Sequence, residues 1–326
     1  MNTKILYVLV SSPGDIYLAQ ACLSVHSLRS HNPRIKVTLL TDSLSLDGFK
    51  GRGVPGEDFS SLFDEVVVKE LDASLSGMQR SRLLKTGMRN YVDGDFLFID
   101  TDTIICHSLE EADSLDLDLG ACLDIHVPLS VHSHRDAILS LCRRIGFDAA
   151  GVEEYFNSGV MLVRDTEQNR RFFSLWQQNY LEGCKAGVYS DQPSLAKTNA
   201  MCGSPLKRLP DEWNCQAMSG VRYLGGSIVF HYLCTCASDK SNGYLYRLHD
   251  RAELRRLGSE GLAPFEDLLE DPLKGFAPDT LILTGEDLHF LRTRRYRWMR
   301  GRFRRGGFSL LEFLLKVRDH LFSRSK

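Results

Sequence analysis

Two aspartates separated by one residue, Asp100 and Asp102, follow the short apolar segment 96–99. An apolar run ended by polar residues is typical of a strand buried on both faces, so both carboxylates are expected at the end of one strand. Hard divalent cations such as Mg²⁺ and Mn²⁺ prefer oxygen ligands and leave coordination positions for substrate phosphates. The pair therefore predicts a metal–diphosphate site. Solvated acids of a surface loop are the alternative, because a D-x-D pair also occurs by chance.

A third metal ligand is available late in the chain. His231 lies inside the apolar segment 227–232, which predicts another strand. A histidine within a strand is commonly a core residue with satisfied hydrogen bonds, and this is the alternative interpretation. An imidazole at the end of a neighbouring parallel strand would complete the coordination of a cation held by Asp100 and Asp102.

Three further segments combine apolar strands with polar residues that could line a site: residues 155–160, 189–192 and 209–214. Each has a structural alternative. Asn157 could cap a turn, Asp191 could be the N-cap of a helix that begins at Pro193, and Trp213 could be a core residue.

The beginning of the chain predicts the framework that positions these residues. Residues 5–10 form an apolar run that ends in a Ser-Ser-Pro-Gly turn, residues 19–28 carry apolar side chains at helical spacing, and residues 36–40 form a second apolar run. This order predicts a right-handed parallel βαβ unit, which binds ligands at the carboxyl ends of its strands. Further strands are predicted at residues 66–68, 96–99, 119–123, 159–163 and 227–232, and further helices at 79–91 and 170–181.

Composition and cysteine usage indicate the class of protein. The 326 residues are 43% hydrophobic and 25% charged, which excludes collagen-like, low-complexity and wholly disordered chains. The nine cysteines include no C-x-x-C pair, and the N-terminal apolar run is too short for a signal peptide. No stretch approaches the length of a membrane span. We therefore expect a cytoplasmic protein in a reducing compartment.

Charge is divided unevenly along the chain. Residues 289–326 carry a net charge of +10, whereas the preceding residues carry −12. Arginines alternate with aromatic residues over 290–305, and residues 310–322 place apolar side chains on one helical face. This pattern predicts a basic amphipathic tail that lies on the anionic inner face of a membrane as a peripheral anchor, and no nucleic-acid partner is expected. The competing interpretations are nucleic-acid binding and packing of the helix against its own domain or a second subunit.

Taken in order, these segments resemble glycosyltransferase family 8, retaining enzymes of the GT-A fold that include bacterial lipopolysaccharide α-galactosyl- and α-glucosyltransferases and glycogenin. The most specific part is segment 96–102, an apolar strand followed by D-x-D. The other matching parts are residues 120–124, residues 156–162 with F-N-S-G-V, the pair Asp191-Gln192, and residues 209–214 followed by His231. The resemblance covers most of residues 4–235. It implies an α/β fold of the GT-A type, Rossmann-like with a mostly parallel central sheet.

The resemblance also implies roles for individual residues. Asp100, Asp102 and His231 would hold Mn²⁺, with Mg²⁺ as an alternative, and the cation would bridge the diphosphate of a UDP-sugar. The residues that would contact this donor are Val10, Ser11, Ser12 and Asp15 around the uridine, Arg82 or Lys85 on the helix before D-x-D, Thr101, and Lys240 in place of the family's phosphate-contacting lysine. The catalytic side, which would line the sugar and the acceptor, consists of Asp124, Asn157, Asp191 and Gln192, with no nucleophile assigned.

We therefore expect a GT-A catalytic domain over residues 1–240, a helical and loop extension over 241–288, and a basic amphipathic membrane-association tail over 289–326. The expected reaction transfers a hexose, with retention, to a saccharide acceptor such as lipopolysaccharide or another cell-surface or lipid-linked glycan. Two alternatives remain. One is a haloacid-dehalogenase-like phosphatase with Asp100 as its nucleophile, and the other is a catalytically silent nucleotide-sugar binding protein.

Overall fold

A computed structural model describes residues 2–217, 225–233, 246–276 and 290–304. The chain divides into two units, Met1–Thr280 and Leu281–Lys326. The strands are β1 (Lys4–Leu9), β2 (Val37–Asp42), β3 (Glu65–Lys69), β4 (Phe96–Ile99), β5 (Thr103–Ile105), β6 (Leu119–Leu123), β7 (Phe156–Val163), β8 (Lys207–Arg208), β9 (Cys215–Gln216) and β10 (Val229–His231). The α-helices are α1 (Tyr17–His31), α2 (Ser43–Asp47), α3 (Gly77–Gly87), α4 (Arg135–Arg144), α5 (Glu167–Lys185), α6 (Asp191–Met201), α7 (Arg251–Arg255), α8 (Leu257–Glu260), α9 (Glu266–Glu270) and α10 (Arg294–Arg304).

A central seven-stranded sheet has the order β3-β2-β1-β4-β7-β6-β8. Strands β3, β2, β1 and β4 are mutually parallel, β8 is parallel to β6, and β7 runs antiparallel to both of its neighbours. The predicted mostly parallel α/β sheet is therefore confirmed. The chain proceeds from β1 outward to β3 and returns to β4 on the other side of β1. This reversal opens a crevice at the carboxyl ends of β1 and β4, where ligands bind in open α/β sheets.

Helices α3, α5 and α6 bury their apolar sides in one cluster with the central strands. Leu84 of α3, Phe173 and Trp176 of α5, and Leu195 of α6 are all nearly inaccessible to solvent. Each side chain of this size stabilises the fold by roughly 1.5–3 kcal/mol on burial. Every residue of β4 is buried as well, which explains why the strand reads as an uninterrupted apolar run. The packing fixes both the strand end that carries the aspartates and the helix that faces it.

A second, three-stranded sheet of order β5-β10-β9 lies outside the central sheet and was not predicted. Strand β10 pairs antiparallel with β5, with His231 opposite Thr103, and parallel with β9. The prediction that His231 ends a parallel strand beside the D-x-D strand is therefore wrong. The histidine instead reaches the aspartates because β5 begins directly after the D-x-D turn. These strands are two or three residues long, too short to show an alternating pattern.

Residues 246–276 fold as several short helical segments that contact helix α1. The Gln20 side-chain amide on α1 donates a hydrogen bond of 2.7 Å to the Leu248 carbonyl. The Tyr246 ring contacts the rings of Tyr232 and Phe276, with centroids 5.5 and 5.3 Å away. The segment therefore belongs to the unit Met1–Thr280 and contributes residues to the crevice side of that unit.

The described part of the basic tail is residues 290–304. It contains helix α10, preceded by Thr293, whose hydroxyl oxygen accepts a hydrogen bond from the Tyr296 amide. The predicted apolar-faced helix over residues 310–322 lies outside the described residues. Within the described residues, no helix combines the length and the apolar character needed to cross a membrane.

Candidate active site

A pocket of about 500 Å³ lies at the carboxyl ends of β1 and β4. Of the residues predicted for the site, the following line it: Val10, Ser12, Asp15, Arg82, Lys85, Asp100, Thr101, Asp102, Asn157, Asp191, Gln192 and His231. Segments separated by more than 200 residues thus converge on one pocket. Its location is the one that the βαβ pattern predicts.

Asp100, Asp102 and His231 form a cluster suited to a metal ion. Each residue offers one ligand atom, and these atoms lie within 4.8 Å of one another. The His231 Nε2 atom is 3.2 Å from an Asp102 carboxylate oxygen. The Asp102 backbone carbonyl accepts a hydrogen bond from the Tyr232 amide, which ties the D-x-D turn to the segment after β10. The interpretation of His231 as a core residue with no part in a site is not supported.

The chemistry of this donor set fits a divalent cation such as Mn²⁺ or Mg²⁺. Two carboxylates supply hard oxygen ligands, and an imidazole nitrogen is compatible with first-row transition metals. The Asn214 side-chain oxygen lies 2.9 Å from His231 Nδ1. An amide oxygen can only accept a hydrogen bond, so Nδ1 carries the proton and Nε2 presents its lone pair to the carboxylates. Asn214 is therefore a positioning residue. This role gives a reason for the resemblance of segment 209–214 to the family pattern.

The F-N-S-G segment contributes a separate contact from each of its last three residues. The Asn157 side-chain oxygen accepts a hydrogen bond from the Asn214 amide group at 3.0 Å. The Ser158 hydroxyl donates to Asp191 at 2.7 Å. A Cβ atom at Gly159 would lie 2.7 Å from Nδ1 of His231, so only glycine leaves room for this ring. The segment thus holds both the metal cluster and Asp191.

Two basic residues of α3 pair with two acids, the half-buried Asp100 and the buried Asp191. Lys85 donates to both carboxylate oxygens of Asp100 at 3.0 Å, and Arg82 lies 3.2 Å from Asp191. The sequence left open which of the two bases belongs to the site, and both line the pocket. Ser76 forms a capping box with Gln79 at the start of α3, which fixes the helix that carries them.

The net pKa shifts of the two acids are opposite, although the basic partner lowers the pKa in both cases. Burial raises the pKa of Asp100, and the opposing effect of Lys85 does not cancel the increase. Burial also acts to raise the pKa of Asp191, but Arg82, Lys85 and the Ser158 hydrogen bond together lower it to about 2. Asp191 is therefore ionised throughout the physiological range.

Asp191 is the first residue of α6 rather than its N-cap. Ser190 occupies the N-cap position, and no side chain caps the helix there. The Trp176 indole donates to the Asp191 carbonyl at 3.2 Å, so a buried tryptophan of α5 fixes the start of α6. The N-cap alternative for Asp191 is wrong, and the core alternative for Trp213 is confirmed because that side chain is fully buried.

Two predicted site residues in the described part of the chain, Asp124 and Ser11, do not line the pocket. Asp124 accepts hydrogen bonds from Asn157 at 2.9 Å and from His132 at 3.1 Å. Burial acts to raise the pKa of Asp124, but these two contacts lower it overall. Ser11 is buried and donates to Asp15 at 2.8 Å, so it supports a lining residue without lining the pocket itself. Lys240 lies outside the described residues.

The pocket also contains residues that the sequence did not indicate. The lining residues that were not predicted include Tyr17, Gln20, Met78, Ser81, His249 and Arg251. Tyr17 and Gln20 could have been found, because they lie in the turn of α1 nearest the end of β1. His249 and Arg251 come after the last predicted strand, in a segment without a clear pattern, and no local signal connects them to the site.

The fold and this site define a GT-A glycosyltransferase. The chain belongs to glycosyltransferase family 8, whose family model matches residues 9–227. The expected family and fold class are thereby confirmed, and the phosphatase and catalytically silent alternatives are not supported.

Solved structures share this fold at low sequence identity. The galactosyltransferase LgtC, in complex with donor and acceptor sugar analogues, is 18% identical, with a TM-score of 0.50 over 79% of this chain and 96% of that chain. The bifunctional glycosyltransferase WbbM, in its apo form, is 14% identical, with a TM-score of 0.50 over 83% of this chain and 52% of that chain. No curated protein matches the sequence.

Proposed function

We propose that this glycosyltransferase transfers a hexose from a UDP-sugar to a saccharide acceptor of the cell surface, such as a lipopolysaccharide or lipid-linked glycan, with retention and with Mn²⁺ as its cation. The observation that carries the proposal is the cluster of Asp100, Asp102 and His231 at the wall of an open pocket. Family membership supports the class of reaction, and the donor set supports a hard divalent cation.

The residues in and around the cluster have separate roles in binding the cation. Asp100, Asp102 and His231 would hold the cation, which when bound would neutralise charge on the departing diphosphate. Lys85 is 3% exposed and keeps Asp100 oriented through two hydrogen bonds. Asn214 holds the imidazole in the tautomer that leaves Nε2 free for coordination.

Asp191 and Gln192 are the groups that we place beside the anomeric carbon. Both line the pocket from the start of α6. Asp191 remains ionised, so its carboxylate favours positive charge on the sugar ring, as in oxocarbenium-like transition states. The Gln192 side chain is anchored by a hydrogen bond from its amide to the Phe156 carbonyl at 3.1 Å. We assign neither residue as a nucleophile, and retention by front-face attack is compatible with this arrangement.

The experiment that tests the proposal is donor hydrolysis. The purified protein is incubated with UDP-galactose, UDP-glucose or UDP-N-acetylglucosamine, with and without Mn²⁺, and UDP release is measured. We expect Mn²⁺-dependent UDP release from one donor. In Asp102→Asn the release should be at least about 100-fold lower, because one carboxylate ligand of the cation is lost. Asp116→Asn, an exposed acid outside the pocket, is the matched control and should behave as wild type. The absence of both UDP release and metal-dependent binding of every UDP-sugar would refute the metal site.

We further propose that the basic tail holds the enzyme at the anionic cytoplasmic face of a membrane, where lipid-linked acceptors are present. In the described part, Phe290 and Trp298 are 45% and 55% exposed, next to the exposed Arg294, Arg295 and Arg297. Cationic side chains beside interfacial aromatics suit an anionic headgroup region, with about 1 kcal/mol from each base near the surface.

Vesicle sedimentation tests this association in the full chain. We expect the protein to sediment with vesicles that contain phosphatidylglycerol and not with pure phosphatidylcholine vesicles, and a triple Arg→Gln variant at positions 294, 295 and 297 to lose most of the binding. The matched control replaces three exposed basic residues of the catalytic unit by glutamine: Arg34, Lys36 and Arg143. Equal sedimentation of wild type and the tail variant, or binding to single-stranded RNA without vesicle binding, would overturn the proposal.

A further inference from the structure

His249 is a buried histidine that faces the pocket with unused hydrogen-bonding groups. Its side chain is almost inaccessible, since the residue is 2% exposed. Neither ring nitrogen has a hydrogen-bond partner among the described residues. Buried polar atoms are normally paired, because an unpaired one loses its hydration without compensation. Because His249 also lines the pocket, its ring nitrogens are placed to bind a ligand there.

The segment around His249 is held in place from several sides. His249 ends a short 3₁₀ turn, Arg247–His249, whose Leu248 carbonyl is fixed by Gln20 on α1. Arg247 donates to Glu253 at 2.6 Å and to Asp267 at 2.9 Å. The His249 ring itself packs edge-on against Tyr246, with centroids 5.3 Å apart. The imidazole is thus pre-organised in the pocket wall instead of turning toward solvent.

His249 is close enough to the proposed metal cluster to be influenced by it. Burial lowers the pKa of His249. The charge of Asp102 acts to raise this pKa, and the charge of His231 acts to lower it. A neutral imidazole has one N–H donor and one acceptor nitrogen. The ring therefore presents a hydrogen-bond donor in the pocket that also contains the metal cluster.

Arg251 supplies a positive charge in the same pocket wall. It is the first residue of α7 and is exposed, two residues after His249. The other two arginine and lysine side chains among the described lining residues, Arg82 and Lys85, are already paired with Asp191 and Asp100. The Arg251 guanidinium is thus available to pair with an anionic ligand. A neutral sugar could not neutralise its positive charge, so the residue favours a phosphate.

We propose that His249 and Arg251 bind the diphosphate of the sugar nucleotide, His249 through a ring N–H and Arg251 through its guanidinium group. The proposal rests on the proposed function, because it takes a nucleoside diphosphate as the ligand. It assigns to residues 246–251 a role in donor binding. The diphosphate would then be bound both by the cation of the acidic cluster and by two hydrogen-bond donors from the C-terminal part of the unit.

Binding of UDP and of uridine by the full-length protein separates phosphate contacts from nucleoside contacts. UDP affinity is measured by calorimetry in the presence of Mn²⁺, and uridine affinity by ligand-observed NMR. We expect His249→Phe, which keeps a ring but removes both nitrogens, to weaken UDP binding about 10-fold or more, as does loss of a hydrogen bond to a charged group. Arg251→Gln should weaken it to a similar extent, and uridine affinity should change less than about twofold in both variants.

Matched controls and a second variant keep the test decisive. His107→Phe and Arg255→Gln alter exposed residues that do not line this pocket and should bind UDP as wild type does. If His249→Phe melts early, Arg251→Gln still tests the proposal, because the arginine is exposed. Unchanged UDP affinity in both variants, or an equal loss for uridine, overturns the phosphate assignment alone. Failure of the wild-type protein to bind UDP with Mn²⁺ overturns the proposed function as well.

Discussion

Gly159 offers the sharpest test of how the metal cluster is assembled. The residue lies within strand β7, where its backbone conformation is open to any L-amino acid. A Cβ atom there would approach His231 Nδ1 to 2.7 Å and the Asn157 side-chain oxygen to 2.9 Å. Cε1 of His231 would lie closer still, and ordinary contact distances are about 3.5–4.0 Å, so in Gly159→Ala the imidazole must move by more than about 1 Å.

A shift of this size is large compared with what a coordination site tolerates. Metal–ligand distances vary by only about 0.2 Å, and disturbing a ligand's supporting contacts typically costs about 10–100-fold in metal affinity. This corresponds to about 1.4–2.7 kcal/mol. The fold should survive, since an added methyl group in a packed interior costs about 1–3 kcal/mol. We therefore expect a folded protein whose Mn²⁺ affinity is lower by one to two orders of magnitude.

The assay is Mn²⁺ titration of the purified variant, followed through the electron paramagnetic resonance signal of free Mn²⁺, with UDP release measured over the same concentrations. Gly151→Ala is the matched control, because its added Cβ would have no heavy atom within 4 Å. Asn214→Ala removes the hydrogen bond to the same ring without a steric clash and should weaken Mn²⁺ binding in the same direction. Wild-type affinity in both Gly159→Ala and Asn214→Ala would refute the inference that His231 is a positioned ligand.

Three further predictions concern charge and burial. Arg80→Leu should lower the free energy of unfolding by about 3–5 kcal/mol in urea titrations, because it leaves the buried Asp42 carboxylate without the ion pair of 2.6 Å; a loss below about 1 kcal/mol would contradict this. Asp191 has a folded-state pKa of about 2, below its usual 3.8. Its ionised carboxylate therefore adds about 2 kcal/mol to the free energy of unfolding above pH 4, and this stabilisation is lost as the pH falls toward 2. The free energy of unfolding of Asp191→Asn should therefore fall less steeply than that of wild type between pH 4 and pH 2. The same slope in both proteins would contradict the ion pair between Asp191 and Arg82. Burial raises the pKa of the Cys22 thiol to about 12, so this cysteine should remain unlabelled by a thiol reagent until the protein is denatured, as mass spectrometry of the labelled peptides would show.

Much of the fold was predictable because its signals are local. Strands β1, β2 and β4 are buried on both faces, and α1 and α5 carry apolar residues at helical spacing, so short sequence windows suffice to find them. Their bounds shift by only a few residues from the predicted ones. The antiparallel insertion of β7 between β4 and β6 was not predicted, because strand direction depends on the path of the chain and not on residue pattern.

The site was predictable where it follows directly from a strand end. Asp100 and Asp102 come immediately after β4, so their placement needed only that strand. The contact between His231 and Asp102 needed the small sheet β5-β10-β9, whose strands are too short to be recognised. The role of Asn214 depended in turn on the position of His231. The sequence thus predicted the residues that directly follow a long strand, and it did not predict contacts that depend on short strands or on other contacts.

The sequence by itself determined the family, the α/β class and most of the predicted metal, donor and sugar-binding residues that line the pocket, because these depend on residue types, spacing and order along the chain. Tertiary structure decided which atoms meet. It placed His231 on a separate sheet, paired Lys85 with Asp100 and Arg82 with Asp191, and brought His249 and Arg251 into the pocket. Such contacts join residues as far apart as 228 positions, as between Gln20 and Leu248, and only packing of the complete unit brings these residues together.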